Sequence, residues 1–126
     1  MNNQEINNLV HQLYQAVDNK DLNYLDSHLA NKVRFRLGNN PVVTDKSDIL
    51  EGNKQFFSSI ESMRHCIEDI VYQLCDRSGT IKASSYGTVD YVRLDGSEYS
   101  IVFSTFLKVQ NGLITDYLIF ADLSGL

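Results

Sequence analysis

The second half of the chain is a long run of alternation. From His65 onward, apolar and polar residues trade places along the chain, most cleanly at Tyr99, Ile101, Phe103, Thr105, Leu107 and Val109. A period of two is that of a strand with one buried face. Asp95-Gly96 and Asn111-Gly112 break the pattern, and both dipeptides suit the left-handed backbone of a tight hairpin. Asp76-Arg77-Ser78-Gly79 is a third turn signal. These turns leave four strands of roughly ten residues or more, against ~5–6 for an ordinary strand. Strands of that length twist and curl. The concave side must then be closed by something else.

The first half supplies the closure. Ile6, Leu9, Val10, Leu13, Tyr14 and Val17 recur at three- and four-residue steps, one apolar side of a helix. Asp21 is placed to cap a short second helix whose Leu22, Leu25 and Leu29 face inward. Val33, Phe35 and Leu37 alternate with Arg34 and Arg36 in a brief strand, which Gly38-Asn39-Asn40-Pro41 ends. Ile49, Phe56, Ile60 and Met63 predict a third helix that starts soon after Thr44 or Asp45. Helices followed by an antiparallel meander make an α+β fold. The expectation is one domain over residues 1–126: a cone-shaped, strongly curved, mostly antiparallel sheet, closed by three N-terminal helices around a deep apolar pocket.

Charge and composition narrow the partners. Eleven Lys and Arg against sixteen Asp and Glu give a net charge of -5. Nucleic acid and acidic membrane surfaces both require a basic face, so neither is an expected partner. No apolar run approaches the ~20 residues that span a bilayer. The opening residues lack the basic start and apolar stretch of a secretion signal, so a cytoplasmic location is expected. Cys66 and Cys75 fall in one strand, nine positions apart, which predicts opposite faces and no mutual disulfide. His11, His28 and His65 are scattered without acidic companions at ligand spacing, so no metal and no cofactor is expected.

Three ordered segments carry a family resemblance. DLNYLDSHLANKVRFRLG resembles a second helix running into a first strand, and ILEGNKQFFSSIESMRHCIEDI a third helix entering a long sheet. GTVDYVRLDGSEYSIVFSTFLKVQNGLITDYLIFADL is similar to a closing pair of hairpins. In this order they resemble the nuclear-transport-factor-2-like superfamily and its SnoaL-like domains, over nearly the whole chain. The resemblance implies a small, largely apolar ligand. It implies either a metal-free proton transfer, as in isomerases and polyketide cyclases, or a non-catalytic binding or dimerisation role. A homodimer formed through the sheet is expected under both.

Set against the limonene-epoxide hydrolase pattern, Asn39 matches the water-holding asparagine and Asp90 the aspartate of an Arg-x-Asp pair. Leu37, Thr88 and Ile119 stand where that pattern has a tyrosine, an arginine and a second aspartate. Epoxide opening needs a base for water and an acid for the leaving oxygen. That reaction is therefore not expected here.

The resemblance places Asp90 on the inward face of its strand with Ser84, Tyr86, Thr88 and Val92, where desolvation would make it a base. The opposite parity, Ile81, Ala83, Gly87, Val89 and Tyr91, is equally apolar, so periodicity leaves the choice of face open. His65 opens the second long strand, suited to relay a proton or, alternatively, to bond a backbone carbonyl at the strand edge. Tyr14 and Tyr86 are candidate donors to a developing oxyanion. Tyr117 and Ile119 are expected to line the hollow with Phe35, Leu37, Asn39 and Thr88. Asp122, at the end of the last strand, reads as structural.

Overall fold

Asn2, Asp21 and Asp45 each accept a hydrogen bond from a backbone N–H three residues on, and each starts a helix. A cap of this kind satisfies one of the orphan donors of a first turn and contributes about 1 kcal/mol. The helices are α1 (Asn3–Asp18), α2 (Leu22–His28) and α3 (Lys46–Ser58). The computed structural model describes residues 2–75 and 79–126. The turn signal at Asp76-Arg77-Ser78 lies outside the described residues.

Six strands complete the chain: β1 (Leu29–Leu37), β2 (Val43–Asp45), β3 (Ile60–Cys75), β4 (Thr80–Arg93), β5 (Glu98–Gln110) and β6 (Leu113–Ala121). They form one sheet in the order β2-β1-β6-β5-β4-β3. Every pairing is antiparallel except β1 with β6, which run parallel. The hairpin glycines Gly96 and Gly112 hold φ of 87° and 79°, as their turns require. Helix α3 touches β1 and β2 at one edge of the sheet and β3 at the other. One helix can reach both edges only if the sheet curls around it.

The third helix stops earlier than its spacing suggests. Ser59 caps it with N–H bonds to Gln55 and Phe56, and Ile60 and Met63 are buried residues of β3. An irregularity between Ile60 and Ser62 turns both side chains inward and so imitates a helical step. A second bulge, between Ile67 and Asp69, reverses the strand's parity. Cys66 and Cys75 consequently share a face, contrary to the simple alternation count. Leu29, expected on the second helix, begins β1 and is buried there.

The concave face carries the core. On β4 it presents Ile81, Ala83, Ser85, Gly87, Val89 and Tyr91, all buried. Helix α1 covers it with Ile6, Val10, Leu13, Tyr14 and Val17. Removing such side chains from water is the main force holding helices to sheet, ~1.5–3 kcal/mol for each large one.

Candidate functional site

Two rows cross the concave face. Ser85, Thr105, Ile119 and Leu37 stand opposite one another on β4, β5, β6 and β1. Ala83, Leu107, Tyr117 and Phe35 form the next row. Between these rows and the helices lies the hollow of the cone, walled by Tyr14, Leu37, Phe56, His65, Tyr91 and Tyr117 among others. Only about 30 Å³ of it is free. A water needs ~10–15 Å³ by the same measure, so one or two waters fit. The deep open pocket expected from strand length is therefore largely occupied by aromatic side chains.

Leu37 and Phe56 also line a groove of about 530 Å³ at the mouth of the cone. Asn39 is exposed there. The C-terminal segment crosses the same groove, held by Arg93 Nη2 donating to the Gly125 carbonyl at 2.6 Å and by the Tyr99 hydroxyl donating to the Asp122 carbonyl at 3.0 Å. The Asp122 carboxylate accepts from Ser124 N–H and Oγ, which holds it below the usual carboxylate range.

The proton acceptor expected from sequence is on the wrong side of the sheet. Asp90 is exposed on the convex face, where Ser100 Oγ donates to its Oδ1 at 2.7 Å. Tyr86 is 51% exposed on that same face, and Thr88 shares its parity. None of the three reaches the hollow. Gly87 stands on the buried parity of β4, where a Cβ would lie 1.9 Å from the Cys66 carbonyl oxygen. The bulged β3 backbone presses on β4 at that point, so only glycine fits there. Phe35 packs behind the hollow, edge-on to Tyr117 at 5.3 Å. Tyr117, Ile119 and Leu37 line it.

His65 acquires a different partner. Asp18, the last residue of α1, accepts from the His65 backbone N–H at 3.0 Å and meets its Nδ1 at 2.5 Å. The carboxylate thus holds both backbone and ring. With Nδ1 occupied, the imidazole presents Nε2 as its available nitrogen. Tyr14 and Phe103 flank the ring at 4.9 and 5.0 Å between centroids. His65 also faces an outer groove of about 480 Å³, shared with His11, Gln15, Asp18 and Asn19. It therefore stands in the wall between hollow and surface.

The Tyr14 hydroxyl is engaged with Ser85 Oγ at 3.0 Å. Burial pushes its pKa up to about 12, although the Ser85 and Thr105 hydroxyls beside it pull the other way. Thr105 Oγ1 lies close to the Tyr14 hydroxyl and has no other hydrogen-bond partner. Burial likewise raises Tyr91 to about 12 and lifts Tyr117 well above the ordinary phenol range. All three are neutral donors at physiological pH. Among the described residues, no cluster of three or more His, Cys, Asp or Glu side chains is arranged to hold a metal ion. None of the described helices is long and apolar enough to cross a membrane.

Residues 10–117 match the family model of the SnoaL-like domain. The chain belongs to the SnoaL-like family. No curated protein matches its sequence. Among solved structures, this SnoaL-like chain is similar to a candidate dehydratase of the NTF2-like family from Streptomyces avermitilis, with a TM-score of 0.84 at 10% identity, covering 96% of each chain. A candidate polyketide cyclase from Xanthomonas campestris pv. campestris gives 0.71 at 21% identity, covering 99% of this chain and 96% of that one. A candidate calcium/calmodulin-dependent protein kinase II association domain, also from Xanthomonas campestris, gives 0.82 at 12% identity over 98% and 90% of the two chains. Identities this low carry the NTF2-like fold and leave the activity of this SnoaL-like domain to its own residues.

Asp18 and Ser85 are the site residues that sequence reasoning missed. Asp18 follows Tyr14 by four positions, so it continues the apolar stripe of α1. It also sits at a helix C-terminus, with no basic residue in the last turn. A carboxylate is disfavoured there by about 0.3–1 kcal/mol. An acid in that position is a signal that it has work elsewhere.

Proposed function

We propose that this SnoaL-like domain binds a small, largely apolar molecule in its hollow and moves a proton on it, with His65 as the base. Asp18 is the positioning residue: its carboxylate fixes the Nδ1–H tautomer and stabilises the imidazolium that forms when Nε2 takes the proton. The carrying observation is the double grip of Asp18 on His65 at the wall of a buried cavity. This reading replaces Asp90 with His65 and retains the metal-free isomerase or cyclase class of reaction. A ligand larger than water enters from the mouth groove by displacing Leu37 and Phe56, which both spaces share.

The test is exchange of the α-protons of 2-tetralone in D2O, followed by NMR. Wild type should accelerate exchange, and His65→Gln should lose on the order of 10²-fold or more of that acceleration, the usual contribution of a positioned general base. Equal rates with the two proteins would remove the assignment.

A second reading concerns assembly. Val102 is 76% exposed, Val71 61% and Phe120 53%, and they share the convex face with Tyr86, Phe106 and Leu118. An apolar field on one open sheet face supports a homodimer, in which the same patch meets itself about a two-fold axis.

A further inference from the structure

The strand register sorts the charges of the convex face toward its two ends. Lys82 on β4 stands opposite Lys108 on β5, which in turn stands opposite Asp116 on β6. Asp116 is already engaged with Arg34 of β1. Arg36, opposite Leu118, adds a further positive charge beside that row. Among the described residues, none of Lys82, Lys108 and Arg36 forms an ion pair. At the other end Asp90 stands opposite Ser100, and Glu98 is two residues along the same face of β5; both acids are exposed. Arg64, opposite Asp90, offsets part of that charge, and Asp69 lies between the two ends at the β3 edge. The apolar side chains of Phe106, Leu118, Phe120 and Val102 fill the middle. Lys82 and Asp90 are eight residues apart on β4, about 27 Å at ~3.4 Å per residue. Screening acts over ~8 Å at physiological salt, so the two ends act separately.

Two aligned sheets can bring their apolar middles together about a two-fold axis in two ways. An axis parallel to the strands sets each end on its own copy, lysine on lysine and carboxylate on carboxylate. An axis across the strands sets the lysine end of each copy on the acidic end of the other, and does so twice. Like charges brought together across an interface are costly, and opposite ones fix its register. We propose that a second copy of this chain docks on the convex face with its strands running the opposite way, Lys82 and Lys108 of each facing Asp90 and Glu98 of the other. The proposal rests on the assembly reading above and adds its direction. It also gives Asp90 a use on the face where the fold has put it.

Sedimentation equilibrium at neutral pH, in about 50 and about 500 mM NaCl, tests the direction. Opposed ends make a dimer whose Kd rises with salt, because screening removes an attraction. Lys82→Gln combined with Lys108→Gln should weaken the dimer about three- to thirtyfold at the lower salt, the worth of a few exposed ion pairs. The same pair of changes should flatten the salt dependence. A dimer that tightens with salt, or tightens in the lysine variant, has like ends together; that result overturns the proposal and leaves the assembly reading intact. A dimer indifferent to both changes does the same. A wild-type chain that is monomeric at both salts sinks the two together. Zero-length carbodiimide coupling of the dimer should join Lys82 or Lys108 to Asp90 or Glu98, a link too long to form within one chain.

Discussion

A buried phenol resists ionisation, and Tyr91 makes that resistance measurable. In the unfolded chain a tyrosine loses its proton near pH 10, whereas Tyr14 and Tyr91 hold theirs to about 12 in the fold. Between those values the unfolded chain binds fewer protons than the folded one, so stability falls as pH rises. The stabilisation is fully present below pH ~10, and the part lost by pH ~12 amounts to about 2–3 kcal/mol per phenol. Urea midpoints from pH 8 to 11 should therefore drop steeply for wild type and less steeply for Tyr91→Phe. Parallel curves for the two would show that Tyr91 is not the group responsible. Glycines give a second contrast at this scale. Gly87→Ala drives a Cβ into the Cys66 backbone and should cost roughly 3 kcal/mol or more. Gly52→Ala, in α3 with nothing within 4 Å of the added carbon, should instead stabilise by up to ~1 kcal/mol. Denaturant midpoints of the two variants moving the same way would contradict the packing described.

At the scale of elements, the candidate site is a meeting of two ends. Helix α1 finishes on Asp18 and β3 brings in His65, and neither segment contains the pair. His65 was legible as a candidate because its strand position and chemistry can be read locally. Its partner was not, because 47 residues separate them and only packing of α1 on β3 joins them. The division of labour predicts a graded result. Asp18→Asn keeps a hydrogen-bonding group beside Nδ1 but removes the charge that stabilises imidazolium. It should slow 2-tetralone exchange by a smaller factor than His65→Gln. An Asp18→Asn protein as fast as wild type would reduce the carboxylate to a strand anchor.

For the whole molecule, one question is which face of the sheet meets water. The concave face is filled by helices, leaving Val102, Val71, Phe120 and Tyr86 on the convex one. A homodimer would cover them. Sedimentation at micromolar concentration should then give twice the chain mass of 14.3 kDa, and Val102→Lys, a charge placed in that field at its most exposed residue, should shift it to monomer while the far-ultraviolet spectrum holds. A wild-type protein that sediments as a monomer would sink the assembly reading. The hollow's near closure belongs to this scale as well. Three long aromatics from α1, β4 and β6 converge in it, and no single segment reveals that their rings occupy one volume.

Local pattern was sufficient for the element types: Asp21 as a cap, Asp95-Gly96 and Asn111-Gly112 as hairpins, alternation from Tyr99 to Val109 as a strand. These depend on the chemistry of neighbours in the chain, which a sequence displays directly. The inner face of β4 depended on something else. Both of its parities are apolar enough to be buried, and the buried one is the face that α1 meets, where Tyr14 bonds Ser85. Asp90 falls on the other face, in water, while His65 stands beside the hollow. A sequence shows which residues can be buried; where two faces qualify equally, the packing of elements distant in the chain decides between them.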